Sequence, residues 1–95
     1  MTIYVDIDGT ICDTPGADYP GAKPIPERIG KFNRMYDEGN RIIYWTARGT
    51  QTGIDWSALT RAQLQAWGCK YHGIEFGKPF FDLYICDKVL NVKDL

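Results

Sequence analysis

Between Arg41 and Thr46 the chain runs Ile42, Ile43, Tyr44 and Trp45 without a polar break. A strand wetted on one face alternates apolar with polar residues. An unbroken apolar run of this length therefore suits a strand covered on both faces, the setting of a parallel sheet with helices packed on it. The preceding segments fit that setting. Residues 2–7 read as a second strand, with β-branched Ile3, Val5 and Ile7 in alternation. A helical pattern separates the two strands: Pro26 suits a first turn, Ile25, Ile29, Phe32 and Tyr36 recur at helical spacing, and Gly39 ends it.

Residues 55–67 hold good helix formers, with a start at Asp55 or at Thr60 and a stop at Gly68. Thr60 and Gln63 stand at capping-box spacing, and Leu59 and Leu64 are placed as a hydrophobic staple. Residues 70–76 carry a sparser strand pattern, and residues 83–86 form a short apolar strand ending at Asp87. Strand, helix, strand, helix, strand, strand is the order of an α/β domain with a small, mainly parallel sheet. The ligand site of such a sheet lies at the carboxyl ends of its strands. A chain of 95 residues, 44% hydrophobic, fills one domain over residues 1–95 and leaves no room for a second. Residues 9–24 show no period and read as a functional loop or a small β flap.

The net charge of -1 comes from interspersed acids and bases. It gives neither the basic stripe of a nucleic-acid binder nor the polybasic tract of a membrane anchor. No basic-then-apolar leader or long apolar stretch stands in the sequence, so the cytoplasm is the expected location. Cys12, Cys69 and Cys86 form no CxxC pair, and three thiols at these spacings suit neither a disulfide framework nor a zinc site. His72, the single histidine, has no Cys or His partner nearby and reads as structural. Trp45, Trp56 and Trp67 read as core or interface anchors.

Asp6, Asp8, Thr46 and Asp87 each fall at or just past the carboxyl end of an expected strand, and Lys78 precedes the last one. In this topology they converge on one sheet edge. Two carboxylates two residues apart, followed by Gly9 and Thr10, can bind a hard divalent cation while backbone N–H groups of the turn face an anion. That outlines a phosphate site.

Asp6-Ile7-Asp8-Gly9-Thr10 resembles the DxDxT motif of the haloacid dehalogenase superfamily of phosphohydrolases. The likeness extends over nearly the whole chain. Thr46 in Tyr44-Trp45-Thr46-Ala47-Arg48 resembles the second motif, Lys78 in Gly77-Lys78-Pro79 the third, and Cys86-Asp87 an acidic pair whose first member is replaced by cysteine. The absence of an inserted cap resembles the capless members. Residues 67–88 resemble small phosphatases of capsular or surface-sugar synthesis. The resemblance implies a three-layer Rossmann-like fold, a Mg²⁺ ion held by Asp6, the Asp8 carbonyl and Asp87, and a small phosphorylated sugar or polyol as substrate.

It also implies roles. Asp6 attacks phosphorus to give an aspartyl-phosphate, and Asp8 protonates the leaving oxygen and later activates water, work that suits a raised pKa. Lys78 shares its charge between Asp6 and the phosphoryl oxygens, while the Thr46 hydroxyl, the Ala47 N–H and Arg48 contact the phosphate. An open site calls either for a bulky substrate or for a lid borrowed from another subunit, and the second of these implies a homo-oligomer. Asp82 reads as a turn residue or an acid that fixes Lys78. Two alternatives stand beside hydrolysis: phosphoryl transfer through the same intermediate, and a catalytically weak metal- and phosphate-binding module.

Overall fold

The computed structural model describes residues 1–95. The expected alternation appears as an α/β fold with a small parallel sheet and two helices. Strand β1 (Thr2–Asp6) is followed by a two-residue hairpin pair, β2 (Cys12–Asp13) and β3 (Lys23–Pro24), and then by helix α1 (Pro26–Asp37). Strand β4 (Arg41–Trp45), helix α2 (Ser57–Ala66) and strand β5 (Gly73–Glu75) complete the body. The main sheet has the order β1-β4-β5, with both pairings parallel. Residues 9–24 therefore form a flap closed by the antiparallel β2-β3 pair. No helix is long and apolar enough to cross a membrane.

The apolar run of β4 is central, as its composition requires. Ile42, Ile43 and Tyr44 are all buried, and Val5 and Ile7 enter the core from the β1 side. Ile29 and Phe32 of α1 and Leu64 of α2 join the same core. Helix α1 starts with Pro26 in its first turn, where the missing N–H costs nothing, and is closed beyond Glu38 by Gly39 at φ 98°. His72 is structural: its Nδ1 accepts the Ile42 N–H at 3.1 Å and its ring stacks on Tyr36 at 4.6 Å.

Two expectations are corrected here. Helix α2 begins at Ser57, so Thr60 lies within the helix and does not cap it; Asp55 instead accepts the Ser57 N–H at 2.9 Å. The strand expected over residues 83–86 does not form. Every residue from 79 to 91 is exposed, and residues 79–90 make no backbone–backbone hydrogen bond. The local pattern suits a strand, but a strand exists only beside a neighbour, and this segment lies against none within its own chain.

The Tyr44 hydroxyl is buried without a hydrogen-bond partner. Removing it relieves an unsatisfied polar group, whereas truncating Leu64, which is fully buried, opens a cavity between α2 and the sheet. Urea unfolding should therefore show Leu64→Ala losing about 2–5 kcal/mol, with Tyr44→Phe at least as stable as the wild type.

Candidate functional site

Asp6 and Trp45 are register partners at the carboxyl ends of β1 and β4, so the chain leaves both strands at one edge. There the Asp6 carboxylate meets Lys78, Nζ to Oδ1 3.3 Å, with the two side chains 40% and 17% exposed. Two backbone tethers place Lys78. Its N–H donates to the Thr46 carbonyl at 3.1 Å, and its own carbonyl accepts the Thr50 hydroxyl at 2.9 Å. The ammonium also lies 5.6 Å from the Trp45 ring centre and 5.3 Å from that of Phe81, within cation–π range. Burial raises the Asp6 pKa above the ordinary carboxylate value, and the Asp8 charge adds to this. Lys78 and the Ile7 N–H oppose the rise without cancelling it.

Asp8 is held differently. Arg48 grips it with two parallel bonds, Nη2 to Oδ1 at 2.8 Å and Nε to Oδ2 at 3.0 Å, and Thr14 Oγ1 donates to Oδ1 at 2.5 Å. The Cys12 thiol, itself fully buried, lies 3.6 Å from the same oxygen. Burial pushes the Asp8 pKa up, but the bonds from Arg48 and Thr14 outweigh it and leave the carboxyl below its ordinary value. This reverses the rise expected of a proton-shuttling acid. A carboxyl lowered in the fold contributes stability that is present above its unfolded-state pKa and lost as pH falls through the folded one.

Arg48 has no exposed side-chain surface. Beyond Asp8 its Nη1 donates to Thr60 Oγ1 at 3.2 Å and to Gln63 Oε1 at 2.5 Å, and its guanidinium lies 4.8 Å from the Tyr19 ring centre. Gln63 in turn donates to the Tyr19 carbonyl at 2.7 Å, and Tyr19 packs edge-on against Trp56. Flap, α2 and the end of β1 thus meet at one cation. Thr60 and Gln63 drew notice in the sequence only as a cap. Thr14 and Tyr19 gave no signal there, because both lie in a loop without period.

The other expected groups divide. Ala47 and Arg48 line an open cleft of ≈ 230 Å³ together with Asp6, Asp8 and Lys78. Thr46 is 1% exposed, and its hydroxyl accepts the Arg48 N–H at 3.1 Å, so it shapes the turn beneath the cleft. The N–H groups of Gly9, Thr10 and Ile11 donate to the carbonyls of Cys12 and Ile7. They close a tight turn, with Gly9 at φ 82°, and do not face an anion as expected. Asp82 and Asp87 are exposed. The side-chain contact of Asp87 is with the neighbouring Cys86 thiol, at 3.7 Å.

The expected cation ligands Asp6, Asp8 and Asp87 are accordingly not gathered within one chain: no three His, Cys, Asp or Glu side chains are grouped to hold a metal ion. Asp6 offers one half-exposed carboxylate, and Arg48 occupies the carboxylate oxygens of Asp8, whose expected ligand atom is its carbonyl. Mg²⁺ takes one or two carboxylates with water and phosphate oxygens, so Asp6 and that carbonyl are of the right ligand type, while Asp87 is not beside them.

No protein-family model matches the chain, and no curated protein matches it. Among solved structures it is similar to a structural-genomics target from Vibrio cholerae. The TM-score is 0.90 at 24% identity, over 98% of this chain and 85% of that one. The likeness is one of fold.

Replacing Arg48 leaves Asp8 desolvated without its cation. Arg48→Met should raise the Asp8 pKa above the ordinary carboxylate value, read by carbon NMR titration, and cost about 3 kcal/mol at neutral pH. The stability loss should shrink in acid, where Asp8 is protonated in both states.

Proposed function

We propose that this chain is a small capless phosphomonoesterase of the haloacid dehalogenase superfamily, with a three-layer Rossmann-like body. In this reading it acts in the cytoplasm on a sugar or polyol phosphate, consistent with the resemblance to surface-sugar phosphatases. The observation that carries the reading is the Asp6 carboxylate held 3.3 Å from the Lys78 ammonium at the carboxyl edge of a parallel sheet, inside an open cleft. A carboxylate made more basic by burial, beside a cation that attracts phosphoryl oxygens, suits in-line attack on phosphorus.

In that reaction an Asp6 oxygen forms a bond to phosphorus while the ester P–O bond breaks. The departing alkoxide takes a proton from Asp8. Water then attacks the phosphorylated Asp6 and gives its proton to Asp8, and inorganic phosphate leaves with the Asp6 carboxylate restored. Arg48 keeps Asp8 ionised in the resting site, which suits the second, proton-accepting half. The first half needs Asp8 protonated, and a phosphate dianion beside it favours that form by like-charge repulsion. Lys78 screens the approach of anionic phosphate to anionic Asp6. A Mg²⁺ ion held by the Asp6 carboxylate and the Asp8 carbonyl, with Asp87 as a further ligand, would lower the repulsion between Asp6 and the phosphate.

The test is phosphate release from a panel of sugar, polyol and nucleotide monophosphates, with Mg²⁺ or with EDTA. Release from at least one member is expected with the wild type, abolition in Asp6→Asn, and a fall in kcat of about 10²–10³ in Lys78→Met, the scale for removing a group that stabilises transition-state charge. The grip of Arg48 on Asp8 also favours a second reading, a phosphate-binding module with little turnover. Saturable phosphate binding by calorimetry with no release from any ester would select it.

A further inference from the structure

Residues 79–91 leave the body as an arm. All are exposed, with Phe80, Leu83, Tyr84, Ile85, Val89 and Leu90 each more than half accessible, and residues 79–90 have no backbone–backbone hydrogen bond. Single exposed apolar residues are ordinary, but a contiguous run with unpaired backbone marks a surface that is covered in the working assembly. Both ends of the arm are fixed to their own body. Lys78 is tied to Thr46 and Thr50, while Val92 packs on the core and the Leu95 carbonyl accepts the Lys31 ammonium at 3.0 Å.

The same chain carries a matching vacancy. The order β1-β4-β5 leaves the outer edge of β1 unpaired, and the Tyr4 side chain is 52% exposed. Thr2–Asp6 contains no lysine or proline, the residues that usually keep an open edge from pairing. An unpaired strand sequence and an unpaired edge on one molecule are self-complementary under a two-fold axis.

We propose that the arm crosses to a second copy of this chain, where residues 83–86 add as a parallel strand to the free edge of β1. Parallel addition sends Asp87 to the carboxyl end of β1, beside the second copy's Asp6, and so supplies the acid that one chain lacks. The arm exchange stands on packing alone, whereas the role given to Asp87 rests on the phosphatase reading. Area agrees with a stable dimer. Each arm offers the exposed parts of Phe80, Phe81 and Tyr84 together with Leu83, Ile85, Val89 and Leu90, and two arms with the edges they cover fall on the scale of the roughly 1,200–2,000 Å² that specific interfaces bury. The likeness to the Vibrio cholerae structure covers 98% of this chain, a share that takes in most of the arm.

Sedimentation of the full chain should give a dimer, and the double variant Leu83→Asp/Ile85→Asp should have half its mass with unchanged helical circular dichroism. A monomeric wild type, or a variant that stays dimeric, overturns the proposal. A short bismaleimide should join Cys86 to position 4 between chains in Tyr4→Cys; a link found only within one chain, or none, would mean the arm does not exchange. For Asp87, co-expressed Asp6→Asn and Asp87→Asn chains should regain phosphatase activity that neither has alone, and a mixture as inactive as its parents would remove Asp87 from the second copy's site. If no phosphatase activity exists at all, the functional reading fails while sedimentation and cross-linking still decide the exchange.

Discussion

Arg48 carries a full positive charge into the interior, with no side-chain surface left to water. Such a charge is tolerated only where its donors are met, and the surrounding architecture supplies three acceptor residues: Asp8 past the end of β1, and Thr60 and Gln63 from α2. The Tyr19 ring from the flap closes the remaining side. Loop segments that would otherwise be free to wander are thereby held against the sheet edge. Asp8 is tuned by the same contact, so the scaffold and the chemistry of the cleft share one ion pair.

The body of the fold was legible because burial leaves a mark on composition. Four apolar residues in a row at 42–45 can only be a covered strand, and Ile29 and Phe32 at helical spacing can only face a core. Where a side chain has two uses, pattern reading chose the commoner one. Thr60 and Gln63 have the spacing of a cap, yet their oxygens serve Arg48, which lies forty residues beyond the carboxylate they help to position. Residues 83–86 have the short apolar run of a strand, but pairing is a property of neighbours, and no local pattern says which molecule supplies them.

The site divides along the same line. Asp6 was readable because it sits at a strand end; Lys78 was expected there as the residue before a strand that does not form, and its backbone ties to Thr46 and Thr50 are what bring it to Asp6. Thr14, Tyr19 and the inward turn of Thr46 were not readable, since the path of a flap follows from tertiary contacts. The direction of the Asp8 pKa was misjudged for a related reason. Its neighbouring carboxylate is visible in sequence, while the arginine that overrides it lies forty residues away.

Cys12 gives the flap a clock. Its sulfur is sealed beneath Thr14 and Asp8 with no exposed surface, and burial holds the thiol protonated beyond its ordinary range. Alkylation at this position can proceed only during moments when the flap lifts and the sulfur meets solvent. The rate at which this one atom is consumed therefore counts openings of the mouth through which any ligand of the cleft would pass.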